Sequence, residues 1–357
     1  MKKIYIHGSY STANFGDALL YALLIDSILD QQADNDTEYR IISENVSDFC
    51  QKFHPVKRVS MLKAVLSADA VICGGGGFLG EPGPDNKYWN RHCSFYHILP
   101  LYLATILKKP LAIIGTGMGP ISKRSIRKKL TKIVEHARIV AVRNSESVEF
   151  LNDLHVKNTV KMHPDWVMSS GTEKYRKESS EQTNRIFLHL GTMDKENAGM
   201  IATGIKTLLE SSPNYTVVIG SDSLKPQALQ TCRYVYDMLR DHDVQYFEYK
   251  DPDGLIEAVE KSHYVITTKL HVGILSIRLG KSVLPLTIHP KVQRFYNQIG
   301  YDKKYINKLA SLKADDFYEL LSDFLSADYH VNIKEIIHQA DQNQNELNMF
   351  LNQISGK

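Results

Sequence analysis

The stretch Ala70-Val71-Ile72-Cys73-Gly74-Gly75-Gly76-Gly77 sets the fold class: a short apolar run with β-branched residues, the length of a buried strand, passes directly into a glycine turn. Ile4-Tyr5-Ile6 before His7-Gly8, Leu111 to Ile114 before Gly115-Thr116-Gly117-Met118-Gly119-Pro120, and Ile139 to Val142 repeat the pattern. Between them, Ala18 to Leu29 is apolar almost all round, and Lys123 to Ala137 is amphipathic at helical spacing. Buried strands alternating with helices predict a parallel sheet covered by helices.

That alternation organises residues 1–168 as an N-terminal Rossmann-like lobe. A polar stretch rich in Ser, Glu and Lys follows and predicts a linker over 169–184. The pattern then restarts as a second Rossmann-like lobe over 185–330. Its strand candidates are Ile186 to Leu190, Thr216 to Ile219, Val244 to Phe247, Val265-Ile266 and Val283 to Ile288, with helices at Asn197 to Ser211 and Gln227 to Arg240. Residues 331–357 read as one or two terminal helices. The expected class is α/β, two lobes with a cleft between them.

Composition narrows the function. The 357 residues are 43% hydrophobic, enough for two cores, and the net charge of +3 is far from the basic stripe that nucleic-acid binding needs. Nucleic acid is therefore not an expected partner. Four cysteines without C-x-x-C spacing, Cys73 among them in an apolar run, read as buried free thiols of a cytoplasmic protein. The apolar run at the N-terminus is too short for a signal peptide, and no run reaches the roughly 18 residues of a membrane span, so any membrane contact is expected to be peripheral.

In open α/β sheets, ligands bind where strands end and helices begin, because backbone N–H groups converge there on anions. Asn14-Phe15-Gly16-Asp17, with Asp17 as a helix N-cap, the tetraglycine with Gly75 and Gly76, and the run holding Gly117 and Gly119 are the candidate donor-binding turns of the first lobe. Any one of them alone reads as a turn that merely needs glycine. None carries the Walker lysine, and the first is not Gly-x-Gly-x-x-Gly, which disfavours an ordinary ATPase or nicotinamide dehydrogenase. In the second lobe, Thr267-Thr268-Lys269-Leu270-His271 puts a cation and an imidazole at a strand-to-helix turn, and Lys291 follows another strand. Alone, His271 reads as a residue that caps or packs locally, and Lys291 as a solvated surface residue; a shared ligand is the functional alternative for both.

In order and spacing, Asn14-Phe15-Gly16-Asp17, the tetraglycine, Gly115-x-Gly117-x-Gly119-Pro120, Arg143 before Ser145 and Ser147, Pro164-Asp165, Lys269-Leu270-His271 and Pro290-Lys291-Val292 resemble the polysaccharide pyruvyl transferase family. The resemblance spans about residues 4 to 296 and implies a GT-B-like arrangement of the lobes. It also implies transfer of pyruvate from phosphoenolpyruvate to two hydroxyls of a sugar as a ketal, on a surface polysaccharide or its lipid-linked precursor. It makes His271 the general acid, with Arg143 and Lys291 holding the donor's acid groups and Lys269 beside them. No cofactor and no metal enter that scheme. Lys269 stands where the family usually has Arg, and His289 departs from the family's segment before Pro290, which bears on the donor.

For the acceptor, Tyr88 and Trp89 lie in a stretch from Glu81 to His97 that reads as a loop able to cover a pyranose face, or to pack its own aromatics. Lys123-Arg124 with Arg127-Lys128-Lys129 reads as a solvated helix face, or as a docking face for anionic lipid near a lipid-linked acceptor. Two other functions fit the same lobes: a GT-B glycosyltransferase using a nucleotide sugar, and a non-catalytic protein binding a phosphorylated metabolite.

Overall fold

The structure is a computed structural model that describes residues 1–11, 14–35, 38–44, 46–83, 85–177, 182–288 and 290–356. The chain forms two compact units, one of Met1–Ala13, Asp17–Gly171 and Ile336–Lys357, the other of Asn14–Gly16 and Thr172–Glu335.

The first unit is built on a parallel sheet of β1 (Lys2–His7), β2 (Tyr39–Ser43), β3 (Lys57–Arg58), β4 (Ala70–Cys73), β5 (Gly76–Leu79), β6 (Leu111–Met118), β7 (Ile139–Val142) and β8 (Lys161–Met162). Its order is β3-β2-β1-β4-β6-β7-β8, with β5 also pairing β6. Ile4 aligns with Ile41 on one side and Ala70 on the other. Ile4, Ile72, Ile113 and Val142 are all fully buried, and the central strands β1, β4, β6 and β7 are buried on both faces because helices cover both. The helix Phe15–Asn35 is apolar nearly all round for a matching reason. The C-terminal helix Lys334–Ser355 lies along this unit, where Gln344 Nε2 donates to the Ser27 carbonyl and Tyr39 Oη bonds Ser355 Oγ.

The second unit repeats the plan with β9 (Gln182–His189), β10 (Thr216–Gly220), β11 (Val244–Phe247), β12 (Ser262–Thr267), β13 (Ser282–Thr287) and β14 (Asn307–Lys308). The order β11-β10-β9-β12-β13-β14, all parallel, is the doubly wound 3-2-1-4-5-6 arrangement. In each sheet the winding reverses at one place, between β1 and β4 and between β9 and β12. The C-terminal strand ends at those two places are where such sheets hold ligands.

Four sequence expectations need correction. The tetraglycine and Gly115 to Met118 are not strand-to-helix turns: Gly76 and Gly77 begin β5, and β6 continues through Met118 past an irregularity between Ile114 and Thr116, where Gly115 has φ +67°. Asp17 is not an N-cap, because the helix already begins at Phe15 and Asn14 caps it, its Oδ1 accepting from Gly16 N at 2.9 Å. The stretch 81–97 is not all loop. Asn86 caps a helical segment, accepting from Trp89 N, that runs as Lys87–His92, a π-helical turn Cys93–Ile98 and Leu99–Ile106. Within 169–184, the helical turn Ser170–Tyr175 and the start of β9 at Gln182 replace much of the expected linker, while 178–181 lie outside the described residues, as do Pro84 and His289.

Candidate functional site

In the second unit the C-terminal ends of β9 and β12 gather polar side chains onto an otherwise apolar sheet. His189 ends β9 fully buried and its Nδ1 bonds Thr267 Oγ1 at 2.9 Å. Gly191 N donates to Thr268 Oγ1 at 2.9 Å, which closes the turn after β9 against the turn after β12. Lys269 lays its stem over Gly191, where a Cβ would stand 2.7 Å from Lys269 Cε. Lys269 is also the N-cap of the helix Leu270–Arg278, so His271 lies in that helix's first turn, half-buried.

Asp222, which follows β10, completes the group and had no signal in the sequence beyond its place after a strand. Its Oδ1 lies 3.5 Å from His189 Nε2 and 3.9 Å from Lys269 Nζ. Burial alone would raise its pKa, but the hydrogen bond and charge of His189 and the charge of Lys269 outweigh burial and hold it down at about 2. Asp222 is therefore a carboxylate at neutral pH. Ser221 Oγ beside them is buried without a hydrogen-bond partner among the described residues.

Gly16, grouped with this unit, lies directly against the His271 imidazole, and a Cβ on Gly16 would overlap Nδ1. The Asn14-Phe15-Gly16 turn thus presses on the very histidine singled out in the second lobe. Lys291 is exposed in the first turn of the helix Pro290–Gln298. Nearby, a pocket of about 400 Å³ is lined by Asp194, Asn197, Thr287, Pro290, Gln293 and Lys308 among others.

In the first unit Arg143, just after β7, is buried and its Nη1 donates to Asp165 Oδ2 at 2.9 Å. The glycines around it have a packing reason. A Cβ on Gly117 would stand 2.8 Å from Arg143 Nε, and one on Gly77 would stand 2.6 Å from Nη2. The neighbouring Ser147 Oγ accepts from Met118 N at 2.8 Å and donates to Asn144 Oδ1, tying the end of β6 to the helix Ser145–Asp153. Gly75 packs on Leu20, Gly76 (φ +118°) lies near Asp17 Oδ1, and Gly119 (φ +73°) packs on Phe150. Arg143 is thus matched by a carboxylate that the motif Pro164-Asp165 supplies.

A second polar group lies at the ends of β1 and β2. His7 Nδ1 bonds Glu44 Oε1 at 2.8 Å and Tyr5 Oη at 3.0 Å, while His7 Nε2 meets His97 Nδ1 at 3.2 Å. Burial, reinforced by the charges of His7 and His92, lowers His97 to about 2. Burial opposes ionisation of Glu44, yet the charge and hydrogen bond of His7 and the Tyr5 hydrogen bond carry it below the usual carboxylate range. Glu44 also lines an open pocket of about 1100 Å³ with Tyr88, Arg91, His92, Phe95 and Tyr96. Tyr88, His92 and Tyr96 stack in a ladder, with centroids 6.3 and 4.6 Å apart. Of the two candidate acceptor aromatics, Tyr88 lines this pocket and Trp89 packs against the core.

Among the described residues, the expectation of no metal site meets one grouping. His263, Asp328 and His330 bring a ligand atom each within 4.8 Å of one another, with both imidazole Nε2 atoms on Asp328 Oδ1 at 2.7 and 3.2 Å. His263 stands near the start of β12, the opposite end of the strand from Thr267.

The fold is shared with proteins of known structure. The UDP-GlcNAc 2-epimerase of Neisseria meningitidis, bound to UDP-GlcNAc, is 14% identical with a TM-score of 0.61 over 98% of this chain and 100% of its own. Acinetobacter baumannii MurG is 11% identical, with a TM-score of 0.54 over 99% and 100%. Anabaena Alr3699/HepE, in complex with UDP and glucose, is 10% identical, with a TM-score of 0.54 over 100% and 98%. No curated protein matches the chain in sequence. Two doubly wound units and these likenesses define the fold class, α/β with two parallel sheets, the fold these epimerases and glycosyltransferases share. Residues 14–290 match the family model of polysaccharide pyruvyl transferase; the chain belongs to that family and is a transferase.

Proposed function

We propose that this chain transfers pyruvate from phosphoenolpyruvate to two hydroxyls of a sugar in a surface polysaccharide or its lipid-linked precursor. The observation that carries the reading is the position of Lys269 and His271 at the C-terminal ends of β9 and β12, the place where doubly wound sheets commonly take ligands, in a chain of this family.

The methylene carbon of phosphoenolpyruvate must be protonated before C2 becomes electrophilic, and His271 is the acid assigned to that step. One sugar hydroxyl then adds to C2. The C2–O bond to phosphate breaks, a second hydroxyl closes the ketal, and of the two hydroxyl protons one leaves with phosphate while the other restores His271. Lys269, balanced by Asp222, offers a compact charge to the donor's acid groups, and Lys291 a second. Arg143 takes an acid oxygen while Asp165 fixes its fork. Asn14 and Gly16 set the turn against His271, and the glycines at 75, 76, 117 and 119 shape the backbone around Asp17 and Arg143. The scheme uses no cofactor and no metal.

The aromatic ladder of Tyr88, His92 and Tyr96 suits the apolar face of a pyranose, and Glu44 suits its hydroxyls, which supports placing the acceptor sugar in that pocket. The test is phosphate release from phosphoenolpyruvate on addition of acceptor, with His271→Ala as control. A wild-type protein that releases phosphate no faster than His271→Ala sinks the assignment.

One observation favours a second reading, a glycosyltransferase using a nucleotide sugar: the Anabaena neighbour holds UDP and glucose. Protection by UDP but not by phosphoenolpyruvate would select it.

A further inference from the structure

Of the fourteen exposed large hydrophobics among the described residues, seven lie on one helical layer of the first unit: Leu62 and Leu66 on the helix Met61–Ser67, and Tyr88, Phe95, Tyr96, Ile106 and Leu107 along 87–107. Their inner neighbours Ala64, Val65, Cys93, Leu101 and Ala104 are already buried in the core. These helices are therefore apolar on two faces, and a helix apolar on two faces has a second contact to make. The layer is continuous. Met61, Phe95, Tyr96 and Leu99 line one pocket, Lys109 Nζ donates to the Leu66 and Ala68 carbonyls, and Lys129 Nζ stands 5.6 Å from the Tyr102 ring.

Charge points to the occupant. Residues 61–67, 87–109 and 123–136 hold eleven Lys and Arg against one acidic residue, Glu135, in a chain whose net charge is only +3. A second copy brought against this face would meet the same positive charge, whereas an anionic lipid surface complements it. Aromatic and aliphatic side chains at headgroup depth, with Lys and Arg reaching around them, is the pattern of a helix lying in a membrane interface. Among the described residues no helix is long and apolar enough to cross a membrane, so the contact is in-plane.

We propose that this layer docks on an anionic phospholipid bilayer, the basic helix Arg124–His136 supplying charge and Leu62, Leu66 and Ile106 inserting. The inference rests on this surface and stands whichever donor the enzyme uses.

The test is co-sedimentation of the full chain with vesicles of phosphatidylcholine alone or with phosphatidylglycerol added. Leu62→Glu/Leu66→Glu/Ile106→Glu and Lys128→Glu/Lys132→Glu are run alongside. Binding to the anionic vesicles is expected, at least about tenfold weaker in each variant and on neutral vesicles, with melting temperature nearly unchanged because all five positions are exposed. Equal binding by the variants, or no binding by the wild type, overturns the proposal. So does self-association without lipid that the triple variant abolishes, since the face would then join two copies.

Discussion

Gly117 lies flat against the guanidinium of Arg143, close enough that a Cβ would come within 2.8 Å of Nε. Arg143 cannot retreat cheaply, because Asp165 holds its Nη1 at 2.9 Å in a buried setting. Gly117→Ala is therefore expected to cost about 1–3 kcal/mol through overpacking, and to lower turnover by displacing the fork. Melting temperature and initial rate read the two effects, and an unchanged protein would show that Arg143 has room to move.

Gly16 makes the corresponding prediction in the second unit. Gly16→Ala pushes the His271 imidazole from its place, so turnover should fall about 10²-fold or more with the fold retained. Normal turnover in Gly16→Ala would separate the Asn14-Phe15-Gly16 turn from the chemistry.

Asp222→Asn removes the carboxylate that faces both His189 and Lys269. A loss of about 1.5–3 kcal/mol is expected, together with a raised KM for the donor as Lys269 loses its orienting partner. The sign of the pH effect follows from its lowered pKa. Stability from Asp222 is present above about 4, the unfolded value, and is lost as pH falls through about 2. Acid unfolding curves of wild type and Asp222→Asn should converge below that range; curves that stay parallel down to pH 2 would show that Asp222 does not titrate as assigned.

His97 acts at milder acidity. Its imidazole is neutral when folded, with a pKa of about 2, but takes up a proton near pH 6.5 when unfolded. Its contribution is complete above pH 6.5 and declines as pH falls, by up to about 1.4 kcal/mol per unit. His97→Leu should flatten the fall in melting temperature between pH 6.5 and 5, and an unaltered slope would assign it to other groups.

Much of this fold is legible in the sequence because buried parallel strands are short, β-branched and closed by glycine. β4 and β7 coincide with their apolar runs residue for residue. Strands without that signal escape: Lys57–Arg58 and Lys161–Met162 are exposed edge pairs, and Tyr39-Arg40-Ile41-Ile42-Ser43 mixes polar residues into β2. The helix Lys87–His92 was hidden by Pro82 and Pro84 before it and by its polar composition, and only the Asn86 cap announces it. At the candidate site, Lys269 and His271 are two residues apart in sequence and read together. Asp222 and His189 meet them only through the 2-1-4 order of β10, β9 and β12, and Glu44 meets His7 only through the pairing of β1 with β2. The glycines read as anion cradles in the sequence because it shows where backbone is bare, not which side chain occupies the space.

The most direct test of the central claim is a thermal-shift titration of the full chain with phosphoenolpyruvate, UDP and UDP-sugars, with Lys269→Ala and His271→Ala in parallel. A concentration-dependent rise is predicted with phosphoenolpyruvate alone, about 2.7 kcal/mol at a hundredfold excess over Kd, lost in Lys269→Ala and kept in His271→Ala. A rise with UDP compounds and none with phosphoenolpyruvate would contradict it.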